Sequence, residues 1–271
     1  MPELPEVETT RRGVAPFLEG RRIHSLLVRE ARLRWPVDAG LDARLRGARI
    51  DSVTRRAKYL LIQNERGCLL WHLGMSGSLR IITDGRPPEK HDHLDLVVDN
   101  GHCLRFNDPR RFGFVLFTES DITQHPRLLG LGPEPLSDDF DGARLYVRSR
   151  GRRASVKSFL MDSATVVGVG NIYASEALFL SGIHPRRPAG RIALKRYELL
   201  AEHVKAVLAA AIRQGGTTLR DFRDSDGMPG YFSQSLRVYG REGEACEVCG
   251  EAIRREVIGQ RSTFFCPRCQ K

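Results

Sequence analysis

Between residues 21 and 118 the apolar positions come in short bursts separated by turn residues. "RRIHSLLVRE", "ARIDSVTRRAKYLLI", "CLLWHLGMSGSLRIIT", "HLDLVVDNGHCLRF" and "FGFVLFT" are rich in Val, Ile, Leu and Phe. Bursts of this kind between turn signals predict strands. Asn100-Gly101, between "LDLVVD" and "HCLRF", predicts a hairpin with a type I′ turn, which needs positive φ at both central residues. The spacing points to an antiparallel β-sandwich or barrel-like first domain.

The Gly/Pro-rich stretch "LGLGPEPLSDD", residues 129–139, marks a boundary. The period then becomes helical through "DFDGARLYVRS", "SVKSFLMD", "NIYASEALFLSG" and "ALKRYELLAEHVKAVLAAAIRQGG". In the last of these Leu200, Val204, Val207, Leu208 and Ala211 recur on one face, and Gly215-Gly216 supplies a stop. From about residue 235 the pattern returns to short strands. No internal repeat or low-complexity tract interrupts it.

Composition narrows the function. The chain has 271 residues, enough for two domains, and 43 Lys and Arg against 33 Asp and Glu give a formal charge of +10. That surplus favours a polyanionic partner, most commonly nucleic acid. No apolar run is long enough to span a membrane, and no signal peptide is evident, so an intracellular protein is expected.

Four of the six cysteines form Cys246-x2-Cys249-x16-Cys266-x2-Cys269. Each C-x-x-C presents two thiolates from one turn, and two such turns make a tetrahedral sulfur cage suited to one Zn2+. Four thiolates leave no open coordination position, so the zinc is expected to be structural. Arg254, Arg255, Arg261 and Arg268 lie in or beside this finger, as expected of a nucleic-acid contact. Cys68 and Cys103 sit in strand-like apolar runs and are expected as buried free thiols.

"PELPEVE", "RRAKYLL", "HLGMSGSLR", "DPRRFG", "GVGNIYASEALF" and "GQRSTFFCPRCQ", in this order, resemble the formamidopyrimidine-DNA glycosylases, bacterial base-excision enzymes for oxidised guanine. The likeness runs from residue 2 to residue 271. It implies an α+β protein with three parts. Residues 1–134 are the catalytic β-sandwich domain with a leading helix. Residues 135–234 are a helical domain with a helix–two-turn–helix and a lesion-capping loop, and 235–271 are the zinc finger. It also implies a bifunctional glycosylase and AP lyase acting on damaged double-stranded DNA, with no organic cofactor and no membrane association. A monomer in the bacterial cytoplasm, at the nucleoid, is expected.

The opening residues support the likeness on chemical grounds. Methionine before proline is normally removed, leaving Pro2 with a secondary amine. An α-amino group has a pKa near 8, so a useful fraction is neutral at pH 7. Attack on a sugar C1′ by such an amine gives an iminium directly, an electron sink for eliminations. Pro5 suits a first helical turn, with Glu6 and Glu8 matched to the helix dipole. Glu3 stands beside the amine, where it can handle protons.

Other roles follow from the resemblance. Lys58 reaches the active site and assists proton transfer. Met75, Arg110 and Phe112 fill the hole left by an extruded base, a task that suits a thioether, a guanidinium and a ring on exposed loops. His91 contacts the DNA backbone. The alternation in "KHDHLDL" also places His91, His93 and Asp95 on one strand face, a donor set compatible with a metal, although the family uses none there. Asn171, at a helix start after Gly168 and Gly170, contacts phosphate, and Arg152 is the chosen phosphate contact in "RSRGRRASVK". Arg261 grips phosphates flanking the lesion and takes part in the elimination. The stretch at 215–232 caps the flipped base. Two other readings stay open: an endonuclease VIII-type enzyme for oxidised pyrimidines, against which Leu4 and the long capping loop speak, and a non-catalytic zinc-finger DNA-binding factor.

Overall fold

The computed structural model describes residues 2–216 and 232–271. The interior of the predicted capping stretch therefore lies outside the described residues. The chain divides into two compact units, one from Met1–Leu129 and Gln214–Tyr231, the other from Gly130–Arg213 and Phe232–Lys271.

The first unit opens with helix α1, Leu4–Leu18. Pro5 is tolerated because the first turn has N–H groups with no helical acceptor. Glu3 caps the helix, and the Glu6 carboxylate accepts the Glu3 N–H at 2.7 Å. Leu4, Val7, Val14 and Leu18 form its buried stripe. Strands β1 (Ile23–Val28), β2 (Ile50–Arg56), β3 (Tyr59–Asn64), β4 (Gly67–His72), β5 (Ser78–Ile82), β6 (Asp92–Val98), β7 (Cys103–Asn107) and β8 (Phe114–Thr118) follow, with the short helix α2 (Leu41–Leu45) after β1. They make two four-stranded antiparallel sheets, ordered β1-β6-β7-β5 and β2-β3-β4-β8. Leu26, Leu94, Leu104 and Phe106 of one sheet share a core with Val53, Leu60, Leu69 and Trp71 of the other. This is the expected sandwich.

Two local expectations are corrected. The hairpin at Asn100-Gly101 forms, but only Gly101 has positive φ (83°), and its N–H donates to the Val98 carbonyl at 2.9 Å. The geometry is a three-residue loop with a left-handed glycine, not a type I′ turn. Pairing of Val98 N–H with the His102 carbonyl sets that length. The predicted face of His91, His93 and Asp95 does not form either. His91 has φ 73° and precedes β6, so alternation does not reach it.

The second unit carries helices α3 (Gly142–Ser149), α4 (Val156–Leu160), α5 (Asn171–Leu180) and α6 (Leu194–Arg213). The α6 residues chosen by period, Leu200, Val204, Val207, Leu208 and Ala211, are all buried. They pack with Phe140, Leu145, Tyr173 and Leu178 in one core. The chain leaves α6 at Gly215 and Gly216, both at positive φ, as the Gly-Gly pair predicts. Strands β9 (Arg254–Ile258) and β10 (Arg261–Phe265) form the terminal hairpin. Its two-residue turn, Gly259-Gln260, has positive φ at both positions (56° and 61°). Among the described residues no helix is long and apolar enough to cross a membrane.

Candidate active site and nucleic-acid interface

Pro2 and Glu3 precede α1 directly, where the helix's free N–H groups and positive dipole end are concentrated. Glu3 is 2% exposed. Behind it Glu8 accepts hydrogen bonds from Arg11 and Arg12 and faces Arg55 at 3.3 Å, tying α1 to β2. Burial opposes ionisation of Glu8, but these cations outweigh it and hold its pKa below the usual range. The chain from β2 then turns at Ala57 (φ 55°) into Lys58, a half-buried residue at the entry to β3.

Met75, Arg110 and Phe112 come together on two neighbouring loops of the first unit. Met75 and Phe112 are each 40% exposed, a large apolar surface for residues with a core available beneath them. The Arg110 guanidinium lies over the Phe112 ring at 4.7 Å. The loops touch through backbone: a Cβ on Gly74 would meet the Gly113 nitrogen at 2.3 Å, so only glycine fits. Asp108, fully buried, joins them. One carboxylate oxygen accepts the Ser76 hydroxyl at 2.7 Å and the Arg110 N–H at 3.3 Å, and the other accepts the Gly113 N–H at 2.7 Å. Its carbonyl accepts from His93 Nε2 at 2.8 Å, and its N–H donates to the His91 carbonyl at 3.1 Å. His91, half-buried, thus stands against the same loop. Asp95 is engaged elsewhere, in a two-bond pair with Arg105 at 2.9 Å and a contact with Arg29.

In the second unit Asn171 is the first residue of α5, after Gly170 at the cap. Its carboxamide is oriented from three sides. Lys157 Nζ donates to its oxygen at 2.5 Å, and its nitrogen donates to the Ser262 carbonyl at 2.9 Å and to the Tyr239 hydroxyl at 3.3 Å. Lys157 is 1% exposed and also donates to Thr263 Oγ1 at 2.6 Å. Arg261, exposed, starts β10 one residue before Ser262, so this network links the two predicted phosphate contacts. Glu176, also buried, accepts the N–H groups of Arg237, Val238 and Tyr239 at 2.8–3.0 Å and fixes Tyr239 over α5. Burial raises the Glu176 pKa despite these donors. Arg152 is exposed in the loop after α3, with its carbonyl accepting from Gly190 N–H at 2.9 Å.

The four cysteines converge as their spacing requires. Their sulfurs lie within 4.8 Å of one another, with Cys246 and Cys269 3.9 Å apart and Cys249 and Cys266 3.5 Å apart. A tetrahedral zinc with Zn–S near 2.3 Å needs sulfurs roughly 3.8 Å apart, whereas disulfides need about 2 Å. The donor set therefore fits one structural zinc, held by all four thiolates. Gln270 seals the knuckle, its carboxamide accepting from Cys266 N–H and donating to the Ile183 carbonyl, each at 2.9 Å.

Sequence reasoning missed Asp108, Ser76, Lys157, Glu176 and Tyr239. Asp108 and Lys157 lie inside the motifs "DPRRFG" and "RSRGRRASVK", where the neighbouring arginines are the stronger sequence signal. The signal for Asp108 was available, since Asp in a Pro- and Gly-bounded loop characteristically binds nearby backbone N–H groups. Lys157 carried none, because a lysine at the end of a basic run reads as a solvated cation.

Comparison with known proteins covers the whole chain. Residues 1–115 match the model of the formamidopyrimidine-DNA glycosylase N-terminal domain, 131–223 that of the formamidopyrimidine-DNA glycosylase H2TH domain, and 243–271 that of a zinc finger found in FPG and IleRS. A formamidopyrimidine-DNA glycosylase of Methylococcus capsulatus is 61% identical over 271 residues, the full length of both chains. A Lactococcus lactis FPG mutant in complex with Fapy-dG-containing DNA superposes with a TM-score of 0.91 at 34% identity, covering 100% of each chain. The L. lactis Fpg bound to abasic-site DNA gives 0.90 at 34%, covering 99% of each.

Proposed function

The chain belongs to the formamidopyrimidine-DNA glycosylase family, a DNA-repair glycosylase and AP lyase for oxidised purines with one structural zinc, and on that premise we propose how its residues divide the work. The carrying observation is Pro2, one residue ahead of the α1 cap, with buried Glu3 beside it. With Met1 removed, the Pro2 nitrogen is a secondary amine at a helix N-terminus, where the dipole disfavours the ammonium form.

Residues 1–134 supply the chemistry, residues 135–234 with the zinc finger at 235–271 the phosphate grip. Arg152, Asn171, His91 and Arg261 hold the backbone of the damaged strand. Met75, Arg110 and Phe112 enter the duplex where the lesion leaves it. Extrusion costs a few kcal/mol, least for a poorly paired base. The Pro2 lone pair then forms a bond to C1′. The glycosidic C–N bond breaks, and the base departs with its electron pair and takes up a proton. Glu3 and Lys58 move protons at the sugar and base. The amine loses its proton as the sugar ring opens, giving an iminium on C1′. That cation acidifies C2′; loss of the C2′ proton expels the 3′ phosphate, and a second elimination expels the 5′ phosphate. Arg261 steadies the leaving phosphates. The iminium supplies the electron sink, so the route needs no organic cofactor. The protein acts as a monomer in the bacterial cytoplasm, at the nucleoid.

Borohydride trapping on duplex DNA with a single 8-oxoguanine tests this. Reduction should leave one covalent protein–DNA adduct that maps to Pro2. An adduct on Lys58 overturns the nucleophile. Trapping on oxidised pyrimidines alone overturns the purine preference.

A further inference from the structure

A row of rings crosses one end of the second sheet. Tyr59, His72 and Phe114 are register partners on β3, β4 and β8, so they project on one side. His72 stacks on Phe114, with centroids 5.2 Å apart and planes at 12°, and lies 5.2 Å from Tyr59. Gly74 N–H donates to His72 Nδ1 at 3.0 Å, which leaves the proton of the neutral ring on Nε2. Burial, then the charges of Lys58, Arg34 and Arg127, pushes the His72 pKa down to about 4. Arg127 closes the row, its guanidinium carbon 5.7 Å from the Phe114 centroid and 4.6 Å from that of Trp35. Arg34 N–H donates to the Gly113 carbonyl at 3.2 Å, which docks its segment beside the loop of Arg110 and Phe112.

The two arginines differ from most in this unit. Arg29, Arg55, Arg80, Arg105 and Arg111 each face a carboxylate. Among the described residues neither Arg34 nor Arg127 has a carboxylate within ion-pair distance. Arg34 is exposed and Arg127 half-buried. Like charges gathered around a neutral histidine repel one another, and an anion seated among them relieves that repulsion. Stacking on Trp35 orients the planar Arg127 fork, so little side-chain freedom is lost when it binds.

We propose that Arg34 and Arg127 form a seat for one backbone phosphate of the DNA substrate, beside the Lys58 turn and the loops that enter the duplex. Guanidinium forks match phosphate oxygens in pairs, and the neighbouring rings lower the local dielectric. The inference rests on the glycosylase reading, since it takes its anion from that substrate.

The test uses the full-length zinc-loaded protein and a duplex with one tetrahydrofuran abasic analogue, which it cannot cleave at C1′. Affinity is measured by anisotropy from about 50 to about 300 mM KCl. Arg34→Gln and Arg127→Gln should each flatten the plot of log K against log salt, and the double variant should flatten it by about 0.9 in all, the share of one phosphate. Arg127→Lys keeps the charge and should recover the slope, which a purely structural role would not predict. If Arg127→Gln misfolds, exposed Arg34 still decides. An Arg34→Gln protein with wild-type slope and affinity overturns the seat while wild-type trapping on Pro2 leaves the glycosylase reading standing. A wild type that neither binds lesion duplex nor traps overturns both.

Discussion

The buried carboxylate of Asp108 accepts the hydroxyl of Ser76 at 2.7 Å and so locks the Met75 loop to the loop of Arg110 and Phe112. Both loops are exposed at their tips and anchored at their base by one charged group. Replacing Asp108 by Ala strands the Ser76 hydroxyl and the Gly113 N–H in a buried site. A loss of about 3 kcal/mol in urea unfolding is expected. The milder Asp108→Asn should fold. Its single-turnover base release should fall on the order of tenfold if, as proposed, the three tips enter the duplex together. Trapping on a preformed abasic site, where no base is left to remove, should fall less. Equal losses on both substrates would contradict the assignment of this loop pair to extrusion.

Lys157 is expected to hold the phosphate grip rather than touch substrate. Lys157→Met removes the donor to Asn171 and Thr263, at a cost of about 2 kcal/mol in the second unit. Zinc content should stay at one per chain, while affinity for lesion duplex drops because the Asn171 carboxamide loses one of its three anchors. A variant that binds with wild-type affinity would remove Lys157 from the interface.

His72 makes stability depend on pH in a defined direction. Its folded pKa is about 4 against 6.5 for the free side chain. Between those values the unfolded chain binds a proton that the folded one refuses, so stability falls as pH drops through this window. His125, His184 and His203 are also pushed down, first of all by burial, so the slope is shared. The difference in unfolding free energy between pH 7 and pH 5 should shrink in His72→Phe. The absolute stability of that variant is not the readout, since it also loses the bond from Gly74 N–H. An unchanged pH difference would mean that His72 titrates normally.

Zinc removal should act on the second unit alone. Both tryptophans, Trp35 and Trp71, lie in the first. Chelation should therefore expose four reactive thiols and abolish DNA binding through loss of the Arg261 hairpin, with tryptophan emission unchanged. Cys68 and Cys103 should stay silent to thiol reagents until global unfolding. Burial pushes both thiols up to about 12, with Asp95 adding to the effect at Cys103. Six reactive thiols after chelation would show that the sandwich had opened too.

Much of this protein was legible from local patterns. The strands of the sandwich showed as apolar bursts, α6 as a 3.6-residue stripe, and the zinc site as two C-x-x-C turns. In each case the signal lies within a few residues of chain, because dihedral preference, side-chain period and ligand spacing are local properties. Turn type was less legible. Asn100-Gly101 looks like a type I′ turn and is not one, whereas Gly259-Gln260, unremarked in sequence, has positive φ at both positions. The register of the flanking strands decides how many residues each loop must span, and register is a property of the pair.

The sequence by itself determined the order of elements, the metal ligands and, through motif likeness, the chemistry expected at Pro2. Only the tertiary structure decided which charged groups are buried and what they hold. Asp108, Glu176 and Lys157 read as ordinary polar residues, yet each lies in a protein interior and orients a loop or a carboxamide. Arg34 and Arg127 read as two surplus cations among 43 Lys and Arg, and the fold sets them around one histidine with no carboxylate partner among the described residues. The physical reason is common to all five: the energy of a charge depends on its surroundings, and residues far apart in the chain supply those surroundings.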